Sequence, residues 1–282
     1  MVSAWRRHER RWKGNRYVYA VVSRRSRGVS IGVNVNPDKT CNFSCVYCQV
    51  NRALPSAVRK VDLARLAEEL DTILYAEKDG SLYENDPFRV LAPTERGVRD
   101  IAFSGDGEPT TFSHFEDAVR IVANARRHFG LDSARLILLT NAAYLNKSPV
   151  RSALALMDEN NGEIWAKLDA GTEEYFRQVN RPNLSLARIL DNILGAARVR
   201  PLTIQSLWFR IYGSAPPDQE IESYCSRLES LISAGGKIRT IQLYTIARDP
   251  AEAYATPLSA DELDKIATAV KGRIDVPVEQ FQ

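Results

Sequence analysis

Sulfur and imidazole are scarce in this chain. Its 282 residues include four cysteines, three histidines and two methionines. A disulfide framework normally spreads an even set of cysteines along a short secreted chain. Here Cys41, Cys45 and Cys48 crowd into eight residues and Cys225 stands alone, which argues for metal binding instead. No run of about 18 apolar residues occurs, so no membrane-spanning helix is expected. The N-terminus is basic but has no apolar stretch, so a secretory signal is not expected and a cytoplasmic location is. Internal repeats and low-complexity tracts are also missing. What remains, 44% hydrophobic and 26% charged residues, is ordinary globular composition with enough apolar material for a sizeable core.

The net charge of +3 is unevenly spread. Residues 1–27 carry nine Arg and Lys against the single acid Glu9, leaving the rest of the chain acidic. Residues 1–29 therefore read as a basic N-terminal extension and 30–282 as the main domain. Such an arm suits RNA, another polyanion or an acidic partner. Trp5, Trp12, Tyr17 and Tyr19 interleave with the charges, open either to stacking on bases or to simple packing.

From residue 30 onward, strand-like and helix-like segments alternate. Strands are expected at Ser30–Val35, Ile101–Ser104, Arg135–Thr140, Ile164–Asp169, Thr203–Ile211 and Ile238–Ile246, with a short edge strand at Ile274–Val278. Helices are expected at Asp62–Tyr75 (capped by Asp62), Phe115–His128, Leu186–Val199, Ile221–Ile232 and Asp261–Val270. Residues 77–99 read as a loop. Six strands alternating with helices argue for α/β with a parallel sheet. Polar candidates end strand after strand, which favours a barrel or partial barrel over an open sheet.

The cysteines have the spacing C-x3-C-x2-C, just after the first expected strand. Clustered thiolates bind soft or borderline metals. Structural zinc usually takes a fourth Cys or His. None is near in sequence, although His114 is open to approach in space. Three cysteines on a [4Fe–4S] cluster leave one iron open to chelate a ligand. This spacing, with aromatic Tyr47 before the last cysteine, resembles the signature of the radical S-adenosylmethionine (SAM) superfamily. A second motif, Ile101–Thr110 with Gly105, Gly107 and Glu108, looks like that family's glycine–glutamate turn. An ammonium wants acceptors, and only glycine lets the backbone come close.

Further segments are similar to the wyosine-base-forming branch of that family: Ser23–Arg25 through Gly32–Asn34, Lys167–Thr172, Val179–Pro182 and Ile241–Thr245. The resemblance runs from about residue 17 to 280. It implies a partial (β/α)6 TIM-like barrel, a [4Fe–4S] cluster on Cys41, Cys45 and Cys48, and SAM as cosubstrate. The family's reaction cleaves SAM reductively to a 5′-deoxyadenosyl radical that abstracts hydrogen from substrate. The branch's second cluster is held by cysteines upstream of the SAM motif; none precedes Cys41, so one cluster is implied. Ala142 stands where family members often have Gly.

Site expectations follow. Gly105, Gly107 and Glu108 receive the SAM amino group, Tyr47 packs near the adenine or shields the cluster, and Asn141 lies near SAM or serves as a turn residue. Trp165, Lys167 and Asp169 share a face by alternation. Lys167 then meets the SAM carboxylate and Asp169 the ribose, unless the two simply pair. Gln242 and Tyr244 point opposite to Ile241 and Leu243, to bind substrate or to serve as hydrogen-bonded filling. Arg181 and Cys225 are expected to be structural. An external low-potential donor of the flavodoxin or ferredoxin type is implied, with a small molecule or peptide as substrate. The alternatives are an RNA-modifying enzyme of the same chemistry and a zinc-binding nucleic-acid module without catalysis.

Overall fold

Alternation of buried β-branched runs with amphipathic helices organises the whole chain. The computed structural model describes residues 12–52, 55, 56 and 58–282. They divide into two compact units, one of residues 12–41, 55, 56, 58–139 and 147–163, the other of 42–52, 140–146 and 164–282.

In the first unit, β1 (Val18–Ser23) and β2 (Gly28–Val33) form an antiparallel pair. Tyr19 lies opposite Gly32, and any Cβ at Gly32 would sit 2.2 Å from the Tyr19 ring. The helix α1 (Leu63–Lys78) starts at Asp62, whose side chain accepts from the Ala64 and Arg65 amides, as expected of the cap. Strand β3 (Val98–Phe103) pairs parallel with β2, and β4 (Arg135–Thr140) pairs parallel with β3. Between them lies α2 (Phe115–His128); α3 (Ser148–Asp158) follows β4. The loop expected over 77–99 contains short 3-10 turns at Ser81–Glu84, Phe88–Val90 and Pro93–Glu95. Strand β1 falls within the stretch read as a basic extension. Trp12, Tyr17 and Tyr19 are buried, so of the two readings of these aromatics, packing is the one realised. Trp5 and the arginines up to Arg11 lie outside the described residues.

A buried carboxylate anchors that N-terminal stretch. Glu69 of α1 accepts from the Arg16, Tyr17 and Val18 amides at 2.8–3.2 Å and from Arg65 Nε at 2.8 Å. An ionised carboxylate is acceptor-only, so it suits a ring of donors. The Glu69→Gln variant turns an amide donor toward them and should lose about 2 kcal/mol. Denaturant midpoints at constant m check this; a change within experimental error would refute the anchoring role.

In the second unit, β5 (Gly162–Lys167) leads to α4 (Glu173–Asn180) and α5 (Leu186–Val199). Then follow β6 (Leu202–Leu207), β7 (Phe209–Ile211), α6 (Asp218–Ser233), β8 (Ile238–Tyr244), β9 (Ala255–Pro257), α7 (Ala260–Lys271) and β10 (Val278–Phe281). Strand β6 pairs parallel with β5 and β8, and β10 with β8. The segment expected as one strand over Thr203–Ile211 breaks at Trp208. Its second part, β7, leaves to pair antiparallel with β9. Trp208 and Tyr224 fill the core, ring centroids 5.1 Å apart and edge-on. Cys225 is buried in α6, as its structural reading requires. All six expected strands thus exist, as β2, β3, β4, β5, β6 and β8. No helix among the described residues is long and apolar enough to cross a membrane.

Candidate active site

The candidate residues fall in both units and are taken unit by unit. In the first, the chain leaves β2 and runs from Asn34 to Cys41, while the glycine–glutamate turn leaves β3. The two stretches are locked together. Asn34 donates through Nδ2 to Asp106 Oδ2 at 2.7 Å and accepts through Oδ1 from the Asn36 and Asp106 amides. Gly105 packs on that side chain: a Cβ there would lie 2.4 Å from Asn34 Oδ1. At Gly107 a Cβ would lie 2.0 Å from the Thr40 carbonyl oxygen, and the next amide, of Glu108, donates to that oxygen at 3.1 Å. Asn36 reaches Thr111 Oγ1 at 2.9 Å. Glu108 is buried and accepts from Thr110 N and Oγ1 at 3.2 and 2.6 Å, capping the short turn Pro109–Thr111. Both glycines therefore hold the turn against the residues that lead into half-buried Cys41. Asn34, Asn36 and Thr40 complete this lock; Asn34 ends a segment similar to the family's, whereas Asn36 and Thr40 carry no motif of their own. His114, weighed above as a fourth zinc ligand, is exposed and pairs with Asp117 at 3.1 Å.

In the second unit, Cys45 and Cys48 share a turn closed by the Cys48 amide donating to the Cys45 carbonyl at 3.0 Å. The turn is gripped from two directions. The Ser44 and Val46 amides donate to the Asn180 and Val179 carbonyls at the end of α4, at 3.2 and 2.9 Å. The Ala251 and Glu252 amides donate to the Cys48 and Val46 carbonyls, at 2.7 and 3.2 Å. Arg181, whose φ of 43° ends α4, joins the two grips through Glu252 at 2.6 Å and Tyr254 Oη at 2.8 Å, the structural role expected of it. Cys45 and Cys48 line a cavity of about 470 Å³ with Arg52, Arg181, Asp249 and Glu252.

A polar network backs the turn. Tyr47 donates its hydroxyl to Asp169 Oδ2 in a short bond, and Asn180 Nδ2 reaches Cys45 Sγ at 3.4 Å, Tyr47 Oη at 3.1 Å and Asp169 Oδ2 at 3.0 Å. Asp169 also pairs with Lys167 at 3.1 Å and accepts from the Leu207 amide at 2.9 Å. Lys167 lies over the rings of Tyr47 and Tyr244, 4.8 and 4.9 Å from their centroids, and donates to Tyr244 Oη at 2.6 Å. Burial alone would pull its ammonium toward neutrality, but Asp169 and Tyr244 outweigh that and raise its pKa. Burial, with Asp169 adding to it, drives the Tyr47 phenol well above its usual range, so Tyr47 stays a donor. Burial also pushes the Cys45 thiol up to about 12, against the opposing Asn180 hydrogen bond. Such a thiol gives up its proton to a bound metal rather than to water.

The remaining expectations resolve as follows. Asn141 is buried, donates to Asn42 Oδ1 at 2.7 Å and accepts from the Ala143 amide at 3.0 Å. Ala142 has φ of 65°, the left-handed backbone for which glycine is favoured, which explains the family's usual residue there. Gln242 is buried; its Oε1 accepts from Gln205 Nε2 at 2.8 Å and its Nε2 donates to Glu279 Oε2 at 3.0 Å. Trp165 is buried in β5. Among the described residues no three His, Cys, Asp or Glu side chains stand gathered as a metal cage. The donor set still fits an iron–sulfur cluster. Thiols line a cavity, and N–H donors aim at two of the sulfurs, Asn180 at Cys45 and Arg52 at Cys48, the latter 4.0 Å away.

Comparison with known proteins agrees. A protein named GTPase Obg from Brachyspira hyodysenteriae is 24% identical over 270 residues, 95% of this chain and 35% of that protein. A UPF0026 protein of Methanocaldococcus jannaschii is 26% identical over 176 residues, covering 62% of this chain and 47% of the relative. The chain thus spans less than half the length of these two relatives. Among solved structures, TYW1 with a lysine-pyruvate adduct bound matches with a TM-score of 0.51 at 14% identity, over 96% of this chain and 80% of that one. That likeness shows the fold, an α/β partial barrel of the expected type. The zinc-binding module without catalysis is set aside, because the family matched is one of enzymes. The sequence pattern of the Radical SAM superfamily matches residues 35–209, most of the chain and all three clustered cysteines, and the chain belongs to that superfamily.

Proposed function

We propose that Cys41, Cys45 and Cys48 ligate three irons of a single [4Fe–4S] cluster whose fourth iron takes the amino and carboxylate groups of SAM. The observation that carries this reading is the C-x3-C-x2-C run inside the matched region. When bound, the reduced cluster and SAM together supply a 5′-deoxyadenosyl radical that takes hydrogen from the substrate. The chain's own residues bind and orient. The turn Gly105–Glu108 offers backbone and a carboxylate to the SAM ammonium, and Asn141 supports SAM from the end of β4. Lys167 and Asp169 hold Tyr47, ring and hydroxyl, one residue from Cys48. Tyr244, tied to Lys167, is the residue assigned to substrate.

An external low-potential donor of the flavodoxin or ferredoxin type supplies the electron. An oxygen-labile cluster suits a reducing cytoplasm, and the reaction class is oxidoreductase. The substrate is a small molecule or peptide. RNA is the alternative substrate, a reading that the likeness to TYW1 suits, although Trp12, Tyr17 and Tyr19 are buried and offer no face for bases.

Anaerobic purification with iron, sulfide and EPR analysis tests the reading. Expected are about four irons per chain, a reduced-cluster signal that changes when SAM is added, and 5′-deoxyadenosine as a product. Zinc without iron, or a cluster signal indifferent to SAM, would overturn it.

A further inference from the structure

We infer that Asn180 is a positioning residue for the cluster: its side-chain amide donates to the sulfur of Cys45 and so sets the cluster's reduction potential. The inference rests on the proposed ligation by Cys45 and concerns a residue that no cofactor motif marks. Asn180 is 2% exposed and closes α4. Its amide orientation is fixed by chemistry. Asp169 Oδ2, 3.0 Å away, only accepts, so Nδ2 must face it. The same nitrogen is then 3.4 Å from Cys45 Sγ. Tyr47 Oη, the third neighbour, already donates to Asp169. Its oxygen also accepts from Asn180 Nδ2, at 3.1 Å, so the two amide protons serve three acceptors: the carboxylate, the phenol and the sulfur.

The backbone reinforces the aim. The Asn180 carbonyl holds the Ser44 amide and the Val179 carbonyl holds the Val46 amide, so Cys45 is clamped between two hydrogen bonds to the same helix end. A lone hydrogen bond on a loose loop would wander; this one is fixed on both sides of its acceptor. On the far side of the amide, Asn180 Oδ1 is buried without a partner. A buried orphan acceptor costs about 1–3 kcal/mol. The hydrogen bonding of this side chain therefore runs through Nδ2 alone.

A donor to a thiolate ligand stabilises the more negative, reduced cluster. Removing it makes reduction harder. The test compares anaerobically reconstituted full-length wild type, Asn180→Leu, which keeps the shape, and Asn180→Ala, which removes the amide without adding bulk. Asp169 retains Tyr47, Lys167 and the Leu207 amide in both variants, so its charge stays partnered. In both, the reduction equilibrium followed by EPR titration should shift three- to tenfold toward the oxidised cluster, about 30–60 mV lower for one electron. Iron content should stay near wild type. Full iron loading with an unchanged potential would show a structural role only and overturn the inference.

If neither variant assembles, pulsed EPR on the reduced wild type gives the answer directly. A weak nitrogen coupling that changes on labelling with ¹⁵N-asparagine supports the bond, and its absence removes it. Failure of the ligation itself would appear differently, as a wild type without iron.

Discussion

Alanine at Cys41, Cys45 or Cys48, one at a time, leaves the protein without its cluster and lowers SAM cleavage by more than about 100-fold. Outer-shell partners of metal sites already cost 10–100-fold when lost, and a direct thiolate ligand contributes more. With three ligands for a four-iron cluster there is no spare donor, and His114 is engaged with Asp117. Cys225→Ala is the control. Its thiol is 1% exposed inside α6 and serves as a small apolar group. That change should leave iron content and SAM cleavage intact and cost about 1 kcal/mol of stability. Iron-to-protein ratio, absorbance near 400 nm and 5′-deoxyadenosine yield, measured on all four variants, decide the matter. Near-normal iron in any of the three motif variants would refute that cysteine's assignment.

The second large effect is expected at Gly107. The added methyl of Gly107→Ala would stand 2.0 Å from the Thr40 carbonyl oxygen and 2.6 Å from Asn36 Cβ. Overpacking usually costs about 1–3 kcal/mol. Here the obstacle is backbone, which cannot rotate away, so the loss should exceed about 3 kcal/mol and lower the melting midpoint by more than about 6 °C. The displaced atoms adjoin Cys41, so cluster retention should fall along with stability. Gly213→Ala makes the comparison: φ is +80°, but nothing lies within 4 Å, so only the local strain of about 1 kcal/mol applies. Calorimetry on both variants, with iron content, tests the difference. Equal melting midpoints would show that the turn yields, and that Gly107 serves only to admit a ligand.

How far the sequence carried the reading depends on the distance over which each signal acts. The strand β4 and the helices α2 and α5 were legible to the residue, because hydrophobic period and capping are local. Helix α3 was missed although Val150, Ala153, Leu154 and Met157 have helical spacing, because its Ser-Pro start reads as a turn. Helix α4 is only eight residues long, too short for a period to show. Strand β1 hid within a stretch whose arginines dominate its composition. At the site, the cysteines and the glycine–glutamate turn announce themselves as motifs. Asn180 does not. Its amide meets Cys45 across 135 residues of chain, and in the sequence it looks like one more residue of an Asn-Arg-Pro turn. The same holds for Asn34 and Asn36, whose partners lie more than 70 residues away.

The discontinuous make-up of the two units has a consequence for synthesis on the ribosome. Every segment of the first unit has been made by residue 163, whereas the second needs residues 164–282 to close. Domains generally fold as units as the chain emerges, at about 5–20 residues per second. The turn bearing Cys45 and Cys48 is translated early, yet its grips, at Val179, Asn180, Ala251 and Glu252, come late. For about 10–40 seconds the nascent chain carries these thiols without their full set of clamps. If the proposed cluster needs these clamps, its iron would load only after they are made, and the interval before is when the cysteines would be most open to oxidation or to capture by the wrong metal.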